Sequence, residues 1–124
     1  MTTSKISAIN LVTRGSELAL FQAHHIAWLL QKQHLEVSVK IKTITTSGDR
    51  ILDSPLAKIG DKGLFVKEIE NELISGDIDI AVHSCKDLPT ELPIGLMLSA
   101  FSRREDPRDA FIGDSSIRTI NDIP

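Results

Sequence analysis

With 124 residues, 41% of them hydrophobic and 25% charged, the chain has the size and composition of one ordinary globular domain rather than of a disordered tract. Its 14 Lys and Arg against 17 Asp and Glu give a net charge of -3, which excludes general nucleic-acid binding, and 4% aromatic residues leave few surfaces for stacking bases. A single cysteine excludes an intrachain disulfide, Met1–Lys5 lacks the apolar stretch of a secretory signal, and no apolar run approaches the ~20 residues that span a bilayer. A cytoplasmic protein with neither nucleic-acid nor membrane partners is expected.

Short β-rich runs alternate with helical periods, the pattern of an α/β domain. Ile6–Thr13 reads as a strand buried on both faces. Ser16 offers an N-cap and Glu17 a first-turn charge that suits the helix dipole, and Ala19, Ala23, Ile26, Ala27 and Leu30 carry the helix to about Gln33. Val37, Val39 and Ile41 alternate with Ser38, Lys40 and Lys42, a half-buried strand. The polar stretch Thr45–Lys62 is long for a loop and suggests a functional flap. Leu64, Phe65, Ile69 and Leu73 mark a second helix stopped by Gly76. Ile78–His83 is a third strand and Leu96–Phe101 a fourth, entered through a turn at Pro93-Ile94-Gly95. Beyond it, Arg103–Asp109 reads as a solvated hinge with mutual ion pairs, Ala110–Ile112 as the start of another strand, and Asn121–Pro124 as the opening of a helix.

Three polar clusters follow three successive strands: Arg14-Gly15-Ser16, Thr46-Ser47-Gly48-Asp49 and His83-Ser84-Cys85-Lys86-Asp87. In open parallel sheets ligands bind outside the carboxyl ends of the strands, beside helix N-termini. If the strands are parallel, these clusters converge on one crevice. Arg14 offers a planar fork for carboxylates, Ser16 a donor and Lys86 a mobile point charge, so the contents suit an anionic ligand. Asp87, a carboxylate among cations, stays ionised there and can stabilise a developing positive charge. The plain alternative is that the clusters are strand-end caps and surface ion pairs.

At these residues the sequence resembles the porphobilinogen deaminases. The resemblance rests on Thr13-Arg14-Gly15-Ser16-Glu17-Leu18-Ala19-Leu20 with Gln22-Ala23, on Thr46–Asp49, Pro55–Lys58 and Gly63–Glu68, on Asp79–Pro89 and on Arg104–Phe111. It covers nearly the whole chain in order. It implies an α/β lobe like those of periplasmic binding proteins over residues 1–102, domain 1 of a three-domain enzyme, with residues 103–124 as the hinge and beginning of a second lobe. It implies a transferase of tetrapyrrole biosynthesis, a hydroxymethylbilane synthase that condenses four porphobilinogen units head to tail with release of ammonia. It also implies a dipyrromethane cofactor held by a cysteine of the third domain, which these 124 residues do not include. Carried over by residue, Asp87 is the catalytic aspartate facing pyrrole N–H groups and the cationic azafulvene. Arg14, Ser16, Ser84 and Lys86 bind the acetate and propionate arms of cofactor and substrate. Lys62 lies near the cleft mouth, with Asp49 on a flanking loop.

Several features read as structural. Cys85 is expected to be a small, partly buried hydrophobe rather than a cofactor anchor, and Trp28 to lie in the core. His24 and His25 are adjacent on a helix, point apart and cannot share a metal, so no metal site is expected; one of them should face solvent and the other packed surface. Gly60-Asp61-Lys62-Gly63 lacks the spacing of a P-loop. Taken alone, the chain is expected not to turn over porphobilinogen, and an unpaired sheet edge is expected to favour self-association in place of the family's monomer. A non-catalytic α/β module holding a small carboxylate ligand is the alternative reading, and a degenerate product with neither role a third.

Overall fold

The computed structural model describes residues 7–51 and 63–123. Three parallel strands form its sheet, in the order β2-β1-β3. Strand β1 is Ala8–Arg14, β2 is Ser38–Ile44 and β3 is Ile80–Ala81. In register, Ala8 sits opposite Ser38 and Arg14 opposite Ile44, while Leu11 and Val12 sit opposite Ile80 and Ala81. The third strand expected over Ile78–His83 is thus shorter in its ladder. Hydrogen bonds from Asp79 N–H to the Asn10 carbonyl and from Val82 N–H to the Val12 carbonyl, each 3.0 Å, hold its flanks to β1.

Helix α1, Glu17–Gln33, follows β1, and helix α3, Lys67–Ser75, precedes β3; between them the four-residue helix α2, Ser47–Arg50, follows β2. Side chains alternate faces along β1. Val12 packs with Ile69 of α3 and with Ile78, backed by Ile44, Leu73 and Ala81. Leu11 and Thr13, also fully buried, point the opposite way, where Ala23 and Ala27 of α1 are buried. The result is a sheet covered by one helix on each face. The first strand is double-faced only at its centre, because Ala8 and Asn10 at its start are exposed. Strand β2 keeps the expected alternation, with Val39 and Ile41 half-buried between exposed Ser38, Lys40 and Lys42. Gly76 ends α3 with φ 84°, a left-handed conformation that costs other residues about 1–2 kcal/mol.

Leu96–Phe101, expected as a fourth strand, is irregular. A strand exists only where its backbone groups find a ladder, whereas here the Leu96 N–H turns back to the Pro93 carbonyl at 3.1 Å and Met97 and Phe101 are 79% and 70% exposed. The same holds for Ala110–Ile112, where Phe111 and Ile112 are exposed. Instead of an α-helical opening at Asn121, the chain makes a 3-10 turn over Ile120–Asp122, with Thr119 and Asp122 exchanging capping hydrogen bonds. Within the charged run Arg103–Asp109, Arg108 pairs with Asp106 in water. Trp28, expected in the core, is 54% exposed on the face of α1 away from the sheet, where His25 stacks on it and the Lys32 ammonium lies 4.8 Å from its ring centre. Alanines, not aromatics, fill the sheet-facing side of α1, because a helix lying close to a sheet leaves no room for an indole. His24 and His25 are both exposed, which corrects the expectation that one of them packs inward. Among the described residues no helix is long and apolar enough to cross a membrane.

Candidate functional site

Because β1 runs parallel to both neighbours, the chain leaves all three strands at the same end of the sheet, and the three polar clusters meet there. Ser16 caps α1, its hydroxyl accepting from the Ala19 N–H at 3.4 Å. The buried Thr13 hydroxyl lies 3.3 Å from the carbonyls of both Ala19 and Val82, tying the start of α1 to the exit of β3. Ser84 donates to the Gln22 side-chain oxygen at 2.8 Å, and a 3-10 turn over Cys85–Asp87 then swings Asp87 back towards β1, its N–H bonded to the Ser84 carbonyl at 2.9 Å.

At the centre is Arg14. Its Nε donates to both Asp49 oxygens at 3.0 and 3.3 Å, its Nη2 pairs with Asp49 Oδ1, and its Nη1 donates to Asp87 Oδ2 at 3.1 Å. The guanidinium also lies 4.2 Å from the centre of the Phe65 ring, a cation–π contact. Gly48 lies close to the same ring, where any Cβ would overlap Phe65. The Gly48 N–H donates to the Leu64 carbonyl at 2.8 Å, which fixes that approach.

Asp49 is held from a second side. Its Oδ2 accepts from the Thr46 N–H at 3.0 Å and the Thr46 hydroxyl at 2.8 Å, and the Thr46 hydroxyl caps the Asp49 N–H, a reciprocal capping box on α2. Burial works against ionising Asp49, but the hydrogen bonds from Arg14 and Thr46 outweigh it and hold the carboxyl below the usual aspartate range. The bond to Asp49, opposed by burial and helped by the charge of Asp87, holds the Arg14 guanidinium above its ordinary value. Glu68 of α3 braces α2 through bonds to the Ser47 N–H at 2.8 Å and hydroxyl at 2.5 Å, and the Ser47 hydroxyl holds its carboxyl low.

Beside this cluster opens a cleft of about 190 Å³, walled by Arg14, Ser16, Ser84, Lys86 and Asp87, with Leu18, Ala19, Val82 and His83 completing it. Burial lowers the His83 pKa below the ordinary imidazole value and outweighs the opposing pull of Asp87, so its ring is neutral at physiological pH. Asp87 is 18% exposed, enough to accept a hydrogen bond from a ligand while one oxygen stays on Arg14. Lys86 is exposed and, among the described residues, forms no ion pair. The cleft therefore offers one carboxylate acceptor, one mobile cation and a hydroxyl donor from Ser16, the Ser84 proton being engaged with Gln22.

Of the residues singled out in the sequence, Arg14, Ser16, Ser84, Lys86 and Asp87 share this cleft, and Asp49 stands behind Arg14. Lys62 lies outside the described residues, as does most of the stretch read as a flap; its start is not loop but helix α2, and Thr46-Ser47-Gly48-Asp49 carried the capping-box spacing that signals it. Cys85 is exposed rather than partly buried, because the 3-10 turn carries it outward while Asp87 turns in. Sequence reading missed two residues. Phe65 looks like helix core but forms the platform under Arg14, ahead of α3. Gln22, a polar residue on an otherwise apolar helix face, orients Ser84.

A family model described as "Porphobilinogen deaminase, dipyromethane cofactor binding domain" matches residues 9–124. A porphobilinogen deaminase of Syntrophomonas wolfei subsp. wolfei is 57% identical over 116 residues, 94% of this chain and 38% of that relative. One of Chlorobium phaeobacteroides is 54% identical over 110 residues, 87% of this chain and 35% of that relative. The chain thus spans little more than a third of the length of the curated relatives it matches.

Proposed function

The chain belongs to the porphobilinogen deaminase family, transferases of tetrapyrrole biosynthesis whose cofactor is dipyrromethane, and from that premise we propose that it forms the lobe of a hydroxymethylbilane synthase that carries the catalytic carboxylate. Meeting of the first and third strand-end clusters on one cleft, with the second joined to it through the Arg14–Asp49 ion pair and Asp87 half-turned into the cleft, is the observation that carries this reading. The lobe is taken to be of the periplasmic-binding-protein type over residues 1–102, with 103–124 leading into a second lobe.

The residues present suit the cofactor and substrate chemically. Pyrroles bring N–H donors and carboxylate arms; Asp87 accepts the former, Lys86 and Ser16 receive the latter, and Ser84 can join them by turning its proton from Gln22 to the ligand. Arg14 borders the same wall. At about 190 Å³ the cleft falls below the ~300 Å³ from which small-molecule sites start, so this lobe supplies one wall of the site rather than the whole. When bound, dipyrromethane supplies the nucleophilic pyrrole carbon to which porphobilinogen units are added.

As ammonia departs from porphobilinogen, positive charge spreads over the substrate's ring. An ionised Asp87 next to the ring N–H stabilises that charge through a short charge-assisted hydrogen bond and can take the proton the new bond releases. Arg14 keeps Asp87 aimed, its Nη1 holding one carboxylate oxygen so that the other can face the ligand. Neutral His83, on the wall of the cleft, adds no competing charge. The 124 residues alone are not expected to turn substrate over.

Titrating isotope-labelled chain with porphobilinogen tests the reading by NMR. Amide shifts should concentrate at residues 14–16 and 83–87. Asp87→Asn should weaken binding about 10- to 100-fold, the loss of a hydrogen bond to a charged group worth about 1.5–3 kcal/mol. Shifts scattered elsewhere, or undiminished affinity in the variant, would overturn it.

A further inference from the structure

Helix α1 turns its alanines to the sheet and leaves a stripe exposed along its outer side. At about 100° per residue, Glu17, Phe21, His24, His25, Trp28 and Lys32 all fall within about 100° of one another, on the side away from the buried Ala23 and Ala27. All of them are exposed, Phe21 by 69% and Trp28 by 54%. His25 stacks on the indole and the Lys32 ammonium lies 4.8 Å from its centre, so the ring is packed by its own helix before anything else meets it. Among the described residues neither Glu17 nor Lys32 forms an ion pair. None of these side chains lines the cleft.

The stripe is matched to itself when reversed. Glu17 and Lys32 lie equally far along the helix from the midpoint between His24 and His25, and so do Phe21 and Trp28. A two-fold axis at that midpoint, with a second α1 running antiparallel, sets Phe21 across from Trp28, Glu17 across from Lys32 and His24 across from His25, each pair occurring twice. Rings meet rings and the acid meets the base. We infer that this stripe is a self-complementary interaction surface whose partner is a second copy of the chain, docked through α1 in antiparallel orientation. Parallel pairing would set Glu17 on Glu17 and Lys32 on Lys32 and align the two helix dipoles; the antiparallel arrangement avoids both. The stripe measures about 25 Å by 10 Å, well short of the roughly 800 Å² per partner of a standard interface, so the pairing is weak, with a Kd on the order of 100 µM. This surface is separate from the open sheet edge, and the inference does not depend on the proposed function.

Trp28 is the only tryptophan in the 124 residues, so its emission reports this surface alone. Between about 10 µM and about 1 mM the chain should pass from monomer to dimer in sedimentation equilibrium, with Trp28 emission shifting to the blue in step. Phe21→Ser should weaken dimerisation at least about tenfold. Glu17→Lys alone and Lys32→Glu alone each turn two attractive pairs into two repulsive ones and should weaken it about tenfold. The two variants mixed, or both changes in one chain, should recover the wild-type affinity to within about threefold. A chain that stays monomeric throughout leaves the stripe to some other occupant and overturns the inference. So does dimerisation that Phe21→Ser and both single charge changes leave within about twofold of wild type, the result a sheet-edge contact would give. A mixture no stronger than its components overturns the antiparallel pairing and the inference with it. If the doubly changed chain loses its dispersed amide spectrum, the mixture decides. If Glu17→Lys loses it, Lys32→Glu and Phe21→Ser decide: weakening by both supports the inference, and anything less overturns it.

Discussion

Removing the Asp49 carboxylate should reveal how much of the fold's stability the charged cluster holds. The Arg14 and Asp49 side chains are 17% and 20% exposed, between the surface pairs worth about 0–1 kcal/mol and the buried ones whose rupture costs about 3–5 kcal/mol. A bidentate contact at intermediate burial should therefore couple by about 2 kcal/mol. Asp49→Ala costs more than that coupling, about 3 kcal/mol, since it also removes the return arm of the α2 capping box, worth about 1 kcal/mol. The measurement is a double-mutant cycle in urea, with Asp49→Ala, Arg14→Met and the pair together; Met keeps the apolar stem that lies on Phe65. The pH dependence has a definite sign. Because the folded Asp49 pKa lies below its unfolded value of about 3.9, its contribution is complete above that value and fades as pH falls through the lower folded one. Coupling below about 0.5 kcal/mol, or coupling that survives below both values, would refute the reasoning.

Three further outcomes follow from the same coordinates. Gly48→Ala should destabilise by about 1–3 kcal/mol in thermal or urea unfolding, because the new methyl meets the Phe65 ring and displaces the platform under Arg14. Ser16→Ala should cost about 1 kcal/mol through the lost cap on α1, visible as faster amide exchange at Ala19 than at mid-helix positions. His83 should titrate below the ordinary imidazole value in a proton NMR pH series, since burial disfavours the imidazolium. Its neutral form is the one the fold accommodates, so stability should decline as pH falls past the unfolded value of about 6.5 and onward through the folded one; a normal or raised His83 value would contradict this placement.

Local chemistry was legible along the chain. Ser16 announced the start of α1, Gly76 the end of α3, and the alternation from Val37 to Lys42 a half-buried strand with one wet face. These features depend on neighbours a few residues away, and the sequence contains those neighbours. The recurrence of polar residues after each strand also indicated which end of the sheet would gather them, provided the strands ran parallel.

Only the tertiary structure could say what each of those residues touches. Arg14 is joined to Asp49 across 35 residues and to Asp87 across 73, and no local rule assigns a guanidinium to one carboxylate rather than another or to an incoming ligand. Trp28 and Leu96–Phe101 failed as core and strand for a matching reason. Hydrophobicity and β-propensity declare a need for partners, but whether a helix face or a backbone edge finds them is settled by the packing of distant segments. The sequence by itself determined the elements and the chemistry at their ends; the sheet order β2-β1-β3 brought those ends together and decided that Asp49 would meet Arg14 first.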